Sequence, residues 1–202
     1  MRLGKVVKSN SHCDYVVQVD DPLDRQDAPH PDDYGFGSFV KLVDPGDRLW
    51  AVGLIYNSQL MNPTFLSNGP RLSSEPDPIF TPDLINENRT LLGVVLVGCM
   101  ETQAAQTSWG VQGIPRAVVP IETTVCTMDA TEVHQFHRDA EGKPQFTYFS
   151  HLLHCGGQFS NSLIQQVLKE LIESELFSGS DRRALEILHR EMCWKSMMGA
   201  MR

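Results

Sequence analysis

The run Leu91-Leu92-Gly93-Val94-Val95-Leu96-Val97 restricts the fold more than any other stretch of this chain. Its length, its valines and its bracketing glycines favour a buried central strand over a helix. Extended to Met100 the run reaches only ten residues. A bilayer-spanning helix needs about 20. A strand this apolar has to be central to a sheet and covered, so the rest of the chain must supply its neighbours and its cover.

The first half supplies neighbours. Leu3 to Val7 and Tyr15-Val16-Val17-Gln18-Val19 read as strands. Phe39 to Val43 alternates apolar and polar side chains and puts Lys41 on the wet face. Asp44-Pro45-Gly46-Asp47 is a turn signal, so Leu49 to Tyr56 returns as the partner strand of a hairpin. Gly53 inside that strand predicts a bulge or bend. Two polar insertions interrupt this pattern, residues 20–33 and residues 57–82, both rich in proline. Thr81-Pro82-Asp83 predicts a short helix to Asn88. Ala104 to Gly113 reads as a loop, and Arg116 to Pro120 and Ile121 to Thr127 as the last strands. Asp129 is placed to cap a helix over Thr131 to His137. Asp139 to Pro144 reads as a turn, and residues 145–154 fit strand or helix equally.

The C-terminal part supplies cover. Leu163, Ile164, Val167, Leu168, Leu171 and Ile172 form one helix face, capped at Ser160. Ser180 caps a second helix with Asp181 in its first turn. There Leu185, Leu188 and Met192 form one stripe, and Ile187, Trp194, Met198 and Met201 form another. A helix packed on one side shows one stripe, so the second is covered either within the monomer or by a partner. The expected architecture is α+β: a small closed β-barrel over residues 1–135, a connection over 136–156, and a helical hairpin over 157–202.

Charge refines this division. The 202 residues carry 17 Lys and Arg against 25 Asp and Glu, a net charge of −8. Residues 1–156 hold 11 basic and 19 acidic side chains, and residues 157–202 hold 6 of each. Residues 20–33 alone contribute −5. That balance argues against direct nucleic-acid binding and against a polybasic membrane anchor. The five cysteines are scattered and form no C-x-x-C, which suits thiols in a reducing compartment. The N-terminus lacks a signal-peptide pattern, so a cytoplasmic location is expected.

Motif chemistry is sparse. G-x-x-x-x-G-K-[ST], G-x-G-x-x-G, H-E-x-x-H and G-x-S-x-G do not occur in the sequence. The exception is histidine: His134-x-x-His137 on the predicted helix, then His151-x-x-His154-Cys155. Histidines at i, i+3 on one helix can face a single metal ion. A metal-dependent enzyme built on these four is therefore an alternative reading. Cys155-Gly156-Gly157 would also place a thiol near a helix start, where its pKa is depressed. No catalytic, cofactor-binding or metal-ligating residue is assigned.

An ordered series of strand motifs runs through the first part. It comprises Leu3-Gly4-Lys5-Val6-Val7, Tyr15 to Val19, Gly37-Ser38-Phe39-Val40-Lys41-Leu42, Trp50-Ala51-Val52-Gly53-Leu54-Ile55, Leu92 to Gly98 and Pro115 to Ile121. The series resembles the HAS barrel, the N-terminal β-barrel of HerA-type hexameric DNA-translocating ATPases. A related barrel begins the α and β subunits of F-type ATP synthases. Here no nucleotide-binding loop follows, so the ATPase activity is not implied. The resemblance implies the barrel's own role, side-by-side packing into a ring, and carries no catalytic residue.

The expectation is thus a non-enzymatic assembly module. It would self-associate or dock on a ring-shaped ATPase or similar protein partner through Leu188, Met192, Trp194 and Met198. An accessory nucleic-acid-associated role is the remaining alternative.

Overall fold

The computed structural model describes residues 1–22, 25–44, 46, 48–61, 89–102, 108–155, 159–174 and 177–200. The side chains of Cys155 and of residues 195–200 lie outside the described set. The strands are β1 (Arg2–Ser9), β2 (Asp14–Val19), β3 (Phe39–Val43), β4 (Leu49–Met61), β5 (Arg89–Thr102), β6 (Ser108–Gln112) and β7 (Thr124–Thr127). The helices are α1 (Ala130–Phe136), α2 (Phe149–Cys155), α3 (Ser160–Glu173) and α4 (Gly179–Ala200). A 3-10 turn spans Pro31–Asp33.

Six strands close a barrel in the order β2-β1-β7-β3-β4-β5, with β5 pairing back on β2. Every pairing is antiparallel. The long β5 makes closure possible by dividing one edge. Leu91 to Val95 pair with β2, and Gly98 to Thr102 pair with β6, a seventh strand outside the ring.

Strand alternation builds two cores. Inside the barrel lie Leu3, Val6, Tyr15, Val17, Val40, Leu42, Ala51, Ile55, Leu92, Val94, Leu96 and Val125. The outward residues Phe39, Val52, Leu54, Val95 and Val97 form the floor of a second core, roofed by the helices. The apolar run at 91–97 is continuous because both faces of β5 are buried, one by the barrel and one by helices. In β4 the register shifts between Val52 and Gly53. A Cβ on Gly53 would stand 2.5 Å from Val94 Cγ1, so the close strand approach needs glycine there. Leu163, Ile164, Val167, Leu168 and Leu171 of α3 are buried in the second core, and α3 and α4 pack on each other.

The barrel, its bulge, its hairpin and the two long helices agree with the sequence pattern. Several local expectations do not. β4 runs on to Met61, into the residues read as insertion, because β5 continues to pair with it as far as Arg89. Ser108–Gln112 is a strand and not a loop. Arg116 to Pro120 is not a strand, and β7 covers only Thr124–Thr127. Val119 gives its N–H to the Tyr15 hydroxyl (3.1 Å) and buries its side chain, so the segment crosses the barrel as a strap. Residues 149–155 are helical. Phe159, not Ser160, is the N-cap of α3, and Ser180 lies within α4. The helix expected from Thr81 to Asn88 lies outside the described residues.

Candidate functional site

The groups with unusual chemistry lie in the seam between barrel wall and helices. A capping box starts α1: Asp129 Oδ1 accepts the Glu132 N–H at 2.8 Å, and Glu132 Oε2 accepts the Asp129 N–H at 3.1 Å. The box fixes the helix so that Phe136 and His137 at its end turn into the seam. His137 Nδ1–H donates to the Val133 carbonyl at 2.7 Å. That assigns the proton to Nδ1, and Nε2 then accepts from the Tyr148 hydroxyl at 2.9 Å. Both side chains are buried among Phe39, Phe136, Phe146 and Phe177, mostly in edge-to-face contact. Burial pushes the imidazole pKa down to about 4, and it raises the Tyr148 phenol with a further contribution from Glu170. At neutral pH this is a neutral, satisfied pair. It ties α1 to the segment before α2.

The other three histidines do not join it. His134 Nε2 accepts from Arg138 Nε at 3.1 Å. His151 Nε2–H donates to the Leu96 carbonyl at 3.1 Å. His154 Nδ1–H donates to the Ser150 carbonyl at 2.5 Å. The i, i+3 spacing sends His134 outward to an arginine and His137 inward to a tyrosine. Among the described residues no three His, Cys, Asp or Glu gather as they would around a metal ion. Neighbours in sequence, the four histidines make separate contacts in the fold. The Cys155 side chain lies outside the described set.

Two hollows flank the seam. One, of about 300 Å³, lies between Phe39, Met128, Val133 and Leu171, with the carboxylates of Asp33 and Glu170 at its margin. The other, of about 610 Å³, holds Lys41, Glu132, Cys126 and Gln135. Lys41 does leave the barrel face as its alternation predicts, but it ends in an ion pair with Glu132. Each of these charges is balanced by the other, so the pair adds no net charge to the trough.

The residues expected at an interface divide. Met192 is 5% exposed and belongs to the second core, and Leu188 packs partly against it. Trp194 is 66% exposed, and Ile187, seven residues earlier on the same face, is 58% exposed. The Met198 side chain lies outside the described set, and Met201 outside the described residues. Sequence reasoning missed a further apolar surface. Ile114, Val118 and Ile121 stand exposed on the strap. His12 Nε2–H holds the strap at the Pro115 carbonyl (2.7 Å), and Glu122 N–H holds it at Val6 O (2.9 Å). The signal was present as an apolar run broken by two prolines, which cannot pair as a strand.

Fold and seam together define an α+β barrel protein whose wall carries a helical layer locked on by a buried His–Tyr pair. By sequence the chain belongs to the family described as a domain of unknown function, DUF8166, whose model matches residues 1–202. No curated protein matches the chain. Among the described residues no helix is long and apolar enough to cross a membrane.

Proposed function

We propose that this chain is a non-enzymatic assembly module that self-associates through the outer stripe of α4. The observation that carries this reading is Trp194, largely in water on a helix whose other side is buried. Leu185, Leu188 and Met192 occupy the packed side, and Ile187 shares the outer face with Trp194. Covering apolar surface is favourable by about 25 cal/mol per Å². Tryptophan is also a frequent anchor at the centre of contacts. The closed barrel supports the same reading through its resemblance to the HAS barrel, whose role is lateral packing in a ring. Docking on a ring-shaped ATPase is the second form of the proposal.

Sedimentation velocity from low to high micromolar concentration tests it. The wild type sediments as an oligomer, and Ile187→Asp with Trp194→Asp sediments as a monomer. Both positions are exposed, so the fold survives the change, and circular dichroism checks that. A wild type and variant that sediment identically would end the self-association reading.

A further inference from the structure

Four aromatic side chains from three separate segments meet at one pocket on the barrel wall. Tyr34 and Phe36 follow the 3-10 turn, Tyr56 lies in β4, and Phe159 precedes α3. With Ile55, Asn57 and Ser58 they line a pocket of about 150 Å³. Phe36 is 39% exposed and Phe159 is 44% exposed. The ring contacts among the described residues centre on Phe39, Phe136, His137 and Tyr148, and none joins two of these four rings. The rings surround a space and do not fill it by stacking on one another.

Tyr56 is held firmly. A Cβ on Gly93 would lie 2.8 Å from Tyr56 Cζ, so the ring occupies room that only glycine leaves on the facing strand. Its hydroxyl donates to Asp14 Oδ1 at 2.8 Å, and Asn10 Nδ2 donates to the other oxygen of that carboxylate at 3.1 Å. The bond to a carboxylate enriches the phenol ring in electron density and sets a negative charge behind it. Aromatic walls backed by negative charge attract a cation. With the Tyr56 hydroxyl bonded to Asp14, the remaining polar side-chain groups lining the pocket are Asn57, Ser58 and the Tyr34 hydroxyl. That is too few acceptors to replace the water around a bare lysine ammonium. A methylated ammonium sheds its weaker hydration more readily. The volume suits a head group, since drug-sized ligands take about 300–1,000 Å³.

We infer that this pocket is an aromatic cage for a trimethylammonium group. The inference stands apart from the assembly role and does not depend on it. Calorimetric titration of the whole protein with choline and with trimethyl-lysine tests it, alongside the neutral tert-butyl isostere of choline. The expected result is saturable binding of a trimethylammonium probe, with the isostere at least about tenfold weaker. Phe36→Ala and Phe159→Ala each weaken binding by about 3- to 30-fold, the worth of one cation–π contact. Both side chains are half in water, and circular dichroism confirms that the variants fold. Tighter binding of trimethyl-lysine assigns the cage to a protein-borne group, and tighter binding of choline assigns it to a small molecule or lipid head group. Either supports the cage. Equal binding of choline and its isostere, binding unchanged in both variants, or no binding of either cation at millimolar concentration overturns it.

Discussion

Acidification from pH 6.5 to 4 should cost the folded chain about 3 kcal/mol through one side chain, His137. In the unfolded chain its imidazole titrates at 6.5, and in the folded chain at about 4, because charging it would bury a cation among aromatic rings. Between those values the unfolded state takes up a proton that the native state refuses. Stability from this group is therefore complete above pH 6.5. It falls by about 1.4 kcal/mol per pH unit through the window and levels off below about pH 4. His137→Gln removes the titration and keeps a polar group near Val133 and Tyr148. The variant is less stable at neutral pH, but its stability changes less with pH. Urea unfolding of both proteins at pH 7, 6, 5 and 4.5 measures the difference directly, with the carboxylate contributions common to both cancelling. A gap between the two proteins that stays constant across the series would refute the buried, neutral imidazole.

Two further predictions concern the seam. Gly110→Ala would set a Cβ 1.9 Å from the Phe136 carbonyl oxygen, where β6 meets the end of α1. The strand must move away and lose the Gly110 N–H bond to Arg138 O, so a marked drop in thermal stability is expected. An unchanged melting temperature would contradict the close approach. Asp129→Ala removes the α1 cap and should cost about 1 kcal/mol in urea unfolding at neutral pH. Asp129→Asn should recover most of it, and equal loss in both variants would count against the capping box.

Residues 91–97 could be read in advance because burial on both faces leaves a continuous apolar run in the sequence itself. The α3 face was readable for a similar reason: its buried positions repeat with helical period. The Asp129 cap is a local signal, and its capping box forms in the structure. β6 was hidden because its stability comes from distant partners. Ser108–Gln112 is short and mixes Trp109 and Val111 with Ser, Gly and Gln, and its outer edge is closed by Arg138 O, by the Gln145 side chain and by the bonds Gln112 makes to Phe136 O and Thr147 N. The strap misled in the opposite direction. Its valines suggested a strand, while its prolines and the Tyr15 hydroxyl settle it as a crossing. The histidines show that proximity in sequence does not give convergence, since one helical turn separates an inward His137 from an outward His134. Neither the His–Tyr pair nor the aromatic pocket had a sequence motif. Each joins segments that only the folded barrel brings together.

Native mass measurement across micromolar concentrations bears most directly on the assembly role. For a chain of 22.6 kDa, self-association through α4 gives multiples of that mass for the wild type. The single mass is expected once Ile187 and Trp194 are changed to Asp. A wild type that stays at the single mass throughout the range would contradict self-association through α4.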